Sequence, residues 1–532
     1  MSTPHDGEPE PQAEISHKEK TPSNGTHDES AAPTVDGQHF ADSDPLVHQK
    51  ILDAHAVVSH TKNGQVLIQS ARGDPDSPRS WPAWKRYGIV ILASFLNNLV
   101  TICVSGYSTG TAEMVKEFGV SDEIGTLGLS TFILGFAFGP MLVAPLSEFY
   151  GRRPVYLICW ALFVVFQIPL ALAPNITTVL VCRFLQGFFG STPLANTGGV
   201  VHDLFGRDEG GYAVGIYALS STDGPPFGNV VSGFIAQEKG WRWLFWLGIV
   251  MMKKAKRLRA ETGNLNIYAA HEQDRSSAGR LWKVSLLRPI KFLFTEPVRF
   301  VSRLLRGMVL MSIQITYFSA LINGLTYGII FLANEAFPLV FGPGNDGHGW
   351  THVGVVNLTY ASFVVGAFIG FATQPLQERF YRSRLALNGG QSDPESRWGS
   401  SLYGIFFLPI GLFIAAWTSY PTIPWIAPII GFTLFGIGFY IIIMAILNYV
   451  VDGYGHYSAS SLAGVVMVRN IAGAVFPLFA KQMYVALGNQ WATCLLAFLS
   501  LLLVPIPFWL FFKGKSVRYA SPYCREHFEE ND

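Results

Sequence analysis

The sequence predicts an all-α membrane protein built as two six-helix bundles around a central cavity, and three observations carry that prediction. Of the 532 residues, 49% are hydrophobic and only 14% charged, against about 25% charged in soluble globular domains. The apolar residues gather into continuous runs of the ~20 residues needed to cross a ~30 Å hydrocarbon core as a helix. None of these runs has the period-2 alternation of a barrel strand. The chain also echoes itself. At an offset of 230, PLSEFYGRR (145–153) lies over PLQERFYRS (375–383), so that Pro145, Leu146, Glu148 and Arg152 match Pro375, Leu376, Glu378 and Arg382. Each copy follows the second span of its half, the placement expected of parallel repeats enclosing a shared midplane site.

In chain order, residues 1–80 are polar, rich in Pro, Asp, Glu, His, Ser and Gly, and lack apolar periodicity. That composition predicts a disordered cytosolic tail. No basic segment followed by a short apolar core is present, so no cleavable signal is expected and the first span acts as the insertion signal. Candidate spans run over 87–108, 124–146, 154–173, 177–200 and 211–236, with a short piece at 243–252, and form a first bundle over 81–252. A linker with a basic helix follows at 253–302. The second bundle, 303–512, holds 309–341, 353–373, 400–418, 423–448, 459–485 and 491–512, before a cytosolic tail at 513–532. Orientation follows from the basic residues. Lys85, Arg86, Arg152, Arg153, KKAKRLR (253–259), RFYRSR (379–384), Lys513, Lys515 and Arg518 share one side if all twelve segments cross, which puts both termini in the cytosol.

The charged stretch APLSEFYGRRPVY (144–156) separates two of these spans. Gly151 permits a tight turn and Pro154 suits the start of a helix, while Arg152 and Arg153 anchor the turn at the cytosolic face. Glu148 is placed to meet an arginine or a helix N-terminus in one conformation and to lose it in another. A loop that only sets topology is the plainer reading; the second copy favours gating.

Inside the spans, Arg183 carries an intramembrane charge, which is expensive and faces a partner or a wet cavity. Asp223, deprived of water at its depth, suits a reversible proton carrier unless it pairs permanently with a basic residue. Gly224, Pro225, Gly228 and Gly233 allow a kink and close backbone approach. Glu335, towards the outer end of the seventh span, either takes up protons from outside or is a solvated helix end. Arg469 and Asn470 could line the cavity with polar donors. Asn97, Asn98, Asn196, Asn323, Tyr327, Tyr360 and Tyr440 add amide and aromatic groups that suit a bulky, partly apolar ligand. Most of these are expected to serve packing.

Several segments together resemble the major facilitator superfamily. Residues 145–153 are similar to its motif A, with Glu148 in place of the usual aspartate, and GDPDSPRSW (73–81) precedes the first span. RFLQGFFGS (183–191) is similar to motif B. DGPPFGNVVSG (223–233) is similar to the antiporter motif C, with Asn229 and Ser232 replacing a more usual proline and glycine. KKAKRLRAETGN (253–264), PESR (394–397), NYVVDGYG (448–455) and VVMVRNIAGAVFPLF (465–479) resemble the fungal twelve-spanner drug:proton antiporters, which include multidrug, polyamine and secondary-metabolite exporters. The resemblance implies proton-coupled efflux of small organic molecules by a monomer in the plasma membrane, with no cofactor. It makes Arg183 the arginine associated with proton transfer, unless it merely holds a neighbouring helix by hydrogen bonds. It makes the glycine-proline motif a mark of antiport, unless the motif serves packing alone.

The chain departs from that family at one place. Only WLFWLGIVMM (243–252) remains of the sixth span, about 15 Å of helix at 1.5 Å per residue. RLLRGMVLMSIQITYF (303–318) is inserted before the seventh. A mis-joined gene model or a splice form would produce both, and a real chain of this kind leaves a non-transporting sensor or inactive variant as the alternative function.

Other classes find little support. The formal net charge of +1 gives no reason to expect a nucleic-acid partner. No P-loop pattern occurs, so ATP hydrolysis by this chain, or enzyme activity of that kind, is not expected. Four of the five cysteines, Cys103, Cys159, Cys182 and Cys494, lie in apolar runs and Cys524 in the tail, without metal spacing; free thiols are expected. His348 and His352 form a single HxxxH in a predicted outer loop, from which no metal site is expected. The sequon at Asn175 sits in a loop too short to favour glycosylation.

Overall fold

The computed structural model describes residues 56–60, 66–70, 78–150, 152–205, 210–246, 315–343, 347–389, 393–454 and 458–520. It divides into two compact units, Met1–Asp74 and Pro75–Asp532. The first contains β1 (Ala56–His60) and β2 (Val66–Ser70), antiparallel, with Ala56 opposite Ser70 and His60 opposite Val66. This departs from the expectation of a tail without secondary structure. The two β-branched-rich segments flank Asn63-Gly64, a strong local signal for a hairpin.

The described part of the second unit is helical. α1 (Ala83–Thr109) is the first span and α2 (Thr111–Phe118) a short helix beyond it. α3 (Asp122–Phe149) starts where the Ser121 hydroxyl accepts from Ile124 N at 3.4 Å, with Asp122 and Glu123 in its first turn; both favour a helix N-terminus. α4 (Arg152–Ala171) follows after two residues, so the turn in 144–156 is short. α5 (Ile176–Gly190) is capped by Asn175, whose Oδ1 accepts from Thr178 N and Oγ1, both at 2.9 Å. The fourth span is not the single helix expected. It breaks at Ser191 and resumes as α6 (Thr192–Leu204), because Pro193 has no N–H to continue the ladder. α7 (Gly210–Lys239) runs on through Pro225 and Pro226.

The entry to the sixth span is pinned by α2. Trp241 N donates to Glu113 Oε2 at 2.9 Å, while Trp241 Nε1 and Arg242 Nη1 both donate to Glu117 Oε2 at 2.8 Å. The expected shortening at 243–252 beyond Trp246, the linker 253–302 and the insertion as far as residue 314 lie outside the described residues.

The second half begins with α8 (Ile315–Phe341). The eighth span is three pieces, α9 (Val353–Leu358), α10 (Ala361–Ala372) and α11 (Gln374–Leu387), so the second copy of the repeat lies on a helix and not in a turn. A 3-10 turn (Pro394–Trp398) leads into α12 (Ser401–Thr418), α13 (Ile426–Tyr454) and α14 (Ser458–Val475). The eleventh span passes through Phe476 with helical dihedrals (φ −62°, ψ −41°), its N–H bonded to Ala472 O at 3.0 Å, and the ladder is interrupted only because Pro477, the first residue of α15 (Pro477–Leu501), has no N–H. Gly488, at φ 77° and ψ 160°, turns α15 from the eleventh span into the twelfth, and α16 (Pro505–Ala520) follows. Among the described residues, eight helical stretches are long and apolar enough to cross a membrane. α5 and α6 are each too short alone, and α7 is diluted by Asp223 and a run of Ser, Thr and Gly.

The duplicated sequence becomes a duplicated packing. In the first half α1 packs on α7, α3 on α5 and α4 on α5; in the second, α8 packs on α14, α10 on α13 and α12 on α13. Spans one and five therefore pair as seven and eleven do, and two and four as eight and ten do. The halves meet through α3 on α14 and α7 on α9 and α10, and these two contacts exchange under the same repeat.

Candidate functional site

The site is built where the halves meet. Asn97 of α1 donates through Nδ2 to Ser220 Oγ (3.2 Å) and Ser221 Oγ (3.0 Å) of α7. Ser105 Oγ donates to the Pro225 carbonyl at 2.5 Å. These bonds need close backbones. A Cβ on Gly224 would strike the Thr101 side chain, one on Gly228 would lie 2.7 Å from Ile102 O, and one on Gly233 would lie 2.5 Å from Asn357 Cβ in the other half. The motif thus packs α7 against α1 and α9. Asn98 lies alongside, its carbonyl accepting from Thr101 Oγ1 at 2.9 Å.

On the same helix Asp223 is buried, with Oδ1 lacking any hydrogen-bond partner. No basic side chain among the described residues pairs with it. Tyr440 of α13 lies within reach of its charge and donates to Gly215 O (3.2 Å) and Gln374 Oε1 (3.3 Å), joining the halves.

Arg183 is fully buried and held by backbone. Nε donates to Gly128 O (3.1 Å), Nη1 to Cys103 O (2.9 Å) and Nη2 to Val104 O (3.0 Å), between the rings of Tyr107 and Phe132 at 4.5 Å each. This geometry ties α5 to α1 and α3, as an arginine that holds neighbouring helices would.

At the arginine-bearing end, sequence reasoning missed a buried charge cluster. Arg397, in the PESR segment, donates from Nε to Asp452 Oδ2 at 2.6 Å and from Nη1 to Glu378 Oε2 at 3.3 Å, with its guanidinium 3.4 Å from the centre of the Tyr381 ring. Glu378 is the second-copy counterpart of Glu148. It touches α7, because a Cβ on Gly211 would meet its carboxylate and would lie 3.0 Å from Arg397 Nη1. Gln374 Nε2 donates to Gly211 O at 2.7 Å. An arginine and a helix N-terminus are the partners expected of such a glutamate. In the first copy, Arg152 packs against Gly199 of α6, while the side chains of Glu148 and Arg153 lie outside the described set. The signal for the cluster was present, since PESR and NYVVDGYG each carry buried charge, but their pairing spans 55 residues.

The opposite end is also bridged. Lys481 of α15 forms an ion pair with Asp122 of α3, and Gln482 Nε2 donates to Glu123 Oε1 at 3.0 Å. Gly354 N donates to Gln237 Oε1 at 3.0 Å. Glu335 is half-buried within electrostatic reach of Lys481, Tyr360 and Tyr484. Between the ends, Asn470 Nδ2 donates to Phe136 O at 3.3 Å, and Arg469 lies over the Tyr327 ring at 4.6 Å. Asn323 is fully buried beside Tyr327. Two cavity candidates fall elsewhere. Asn196 accepts from Ser147 Oγ at 2.7 Å near the arginine-bearing end, and Tyr360 donates to Asn334 O at 2.6 Å while stacked on Phe337 at 4.3 Å. His348 stacks on Phe341, and no group of three or more His, Cys, Asp or Glu among the described residues could hold a metal ion. The four described cysteines are free.

The family model for the Major Facilitator Superfamily matches residues 90–477. The chain is 32% identical over 502 residues to the efflux pump FUBT of Fusarium oxysporum, covering 90% of this chain and 81% of that protein. It is 35% identical over 471 residues to the MFS-type transporter atr4 of Stereocaulon alpinum, covering 84% and 81%. It is 34% identical over 473 residues to the citrinin biosynthesis cluster MFS transporter mrr1 of Monascus ruber, covering 85% and 90%. The repeated helix pairing and this match lead to the same place: the chain belongs to the Major Facilitator Superfamily of multi-pass membrane transporters.

Proposed function

We propose that this transporter is a proton-coupled exporter of small organic molecules in a fungal plasma membrane, acting as a monomer with both termini in the cytosol. The names of its relatives support export. The observation that carries proton coupling is Asp223, buried at the meeting of the halves with no cation beside it among the described residues. A charge there is costly, so gain or loss of a proton changes which packing of the halves is favoured, and a ligand that binds one packing better shifts the balance further. The cross-half contacts then alternate. Gln374–Gly211, Glu378 and Tyr440–Gly215 release while Asp122–Lys481 and Gln237–Gly354 hold, and the reverse follows. Glu148, Arg152 and Arg153 perform the first-half counterpart of the Glu378 contact, Glu335 offers a proton-accepting group at the outer end, and Arg183 keeps α1, α3 and α5 as one body.

Dye efflux from vesicles containing the purified protein tests this reading. Efflux should stop when a protonophore collapses the pH gradient, and Asp223→Asn should abolish gradient-driven movement. Efflux indifferent to both would refute proton coupling. A non-transporting protein remains the second reading because WLFWLGIVMM offers so short a sixth span. Folded protein that moves no compound under any gradient would establish it.

A further inference from the structure

Three arginines are buried among the described residues, and their surroundings differ. Arg183 is met by three backbone carbonyls and Arg397 by two carboxylates. Arg469, 2% exposed, has one contact of that kind, from Nε to Asn470 Oδ1 at 3.4 Å. No carboxylate among the described residues pairs with it. Its guanidinium lies over Tyr327 of α8 at 4.6 Å and within electrostatic reach of Tyr217 of α7, so it stands between the halves. Asn470, the next residue, binds Phe136 O and fixes α14 against α3, which holds Arg469 in place. Asn323 precedes Tyr327 by one helical turn on the same face of α8. It is fully buried, and neither its Nδ2 nor its Oδ1 has a partner.

A guanidinium that is 2% exposed, with one long hydrogen bond and no carboxylate beside it among the described residues, is stabilised when an anion joins it. Its planar fork presents paired donors matched to a carboxylate, and Asn323, one helical turn from Tyr327, offers an unpaired amide on that face of α8. The neighbouring side chains are aromatic: Tyr327, beneath the guanidinium, stacks on Phe439 with ring centres 6.3 Å apart and planes at 25°. We infer that Arg469, assisted by Asn323, is the recognition site for an acidic group, and that the exported molecules are small ring-bearing organic acids carried as carboxylates. This names the substrate class and rests on the export reading only for the direction of movement.

Binding of radiolabelled 2-naphthoate to the full-length protein in detergent tests it, against 2-naphthamide and 2-naphthyl phosphate. The wild type should prefer naphthoate over naphthamide by about 10–100-fold, the effect of one well-made charge-assisted pair. Arg469→Gln should lose that preference while changing naphthamide binding less than about threefold, Arg469→Lys should retain part of it, and Asn323→Leu should weaken naphthoate several-fold. Equal binding of acid and amide by the wild type, no binding of naphthoate, tighter binding of the phosphate, or an intact preference in Arg469→Gln would each overturn the assignment. The wild-type comparison needs no variant to fold. If Arg469-dependent naphthoate binding is found but vesicles expel nothing, the export reading fails and the ligand class stands. If vesicles expel only neutral or cationic compounds, the ligand class fails and export stands.

Discussion

Replacing Arg397 with methionine should be the most damaging single change at the arginine-bearing end. Arg397, Glu378 and Asp452 have side chains 2%, 5% and 5% exposed. One guanidinium therefore serves two buried carboxylates, with Arg382, 3.8 Å from Glu378 but 61% exposed, adding little. Arg397→Met keeps an apolar stem against Tyr381 and leaves both carboxylates without their cation. Removing one member of a buried pair costs about 3–5 kcal/mol, and at about 2 °C per kcal/mol for a large domain this is a fall of roughly 6–10 °C in melting temperature. Asp452→Asn leaves Arg397 with Glu378 and should cost about 1.5–3 kcal/mol. Glu378→Gln leaves the 2.6 Å Arg397–Asp452 pair intact and should shift melting by no more than about 2 °C. The triple change Arg397→Met, Glu378→Gln, Asp452→Asn removes the uncompensated charge and should recover part of what Arg397→Met loses, the remainder being the cost of two buried amides left without the arginine. Melting in detergent by intrinsic fluorescence, with elution profiles as a check on folding, reads all four. A triple variant no more stable than Arg397→Met, or Glu378→Gln worse than either, would show that packing, and not charge balance, sets the stability of this end.

Two further outcomes follow from the ends of the bundle. Gly215→Ala puts a methyl into the Gln374 amide; the change favours the helix by about 0.5–1 kcal/mol yet opposes the cross-half contact by about 1–3 kcal/mol. Melting should hold while amide hydrogen exchange in 374–387 quickens several-fold; unchanged exchange would mean that this approach does not close the interface. On the other side, hydrogen bonds from Trp241 Nε1 and then Arg242 hold the Glu117 carboxyl below the usual carboxylate range. Its stabilising effect is therefore complete above that range and lost as pH falls through the depressed value. With side chains 39% and 42% exposed, the Arg242–Glu117 pair contributes about 1 kcal/mol at most. Glu117→Gln should melt slightly lower at neutral pH and converge with the wild type in acid; a gap that widens on acidification would reverse the sign.

The spans were legible because lipid imposes a local rule: every backbone group must be satisfied within its own helix, so each crossing announces itself as an apolar run. The breaks within them were partly legible. Pro193 and Pro477 both stand where a helix restarts, but proline inside a span is tolerated as often as not, and Pro225, Pro226, Pro338 and Pro409 interrupt nothing. The pair of strands near the N-terminus went unforeseen because the polarity of the surrounding eighty residues outweighed one Asn-Gly.

Sequence alone, then, determined that this chain folds as membrane-crossing helices in two matched halves, and it singled out Arg183 and Asp223 as charges out of place in lipid and Arg469 as a polar donor for the cavity. Only the tertiary structure decided how each is answered: Arg183 by carbonyls of two other helices, Arg397 by acids on separate elements, Asp223 and Arg469 by no opposite charge among the described residues. The reason is physical. Burial is written along the chain in the pattern of apolar residues, whereas the partner of a buried charge is chosen by which helix faces meet, and those faces are brought together across 55 to more than 300 residues.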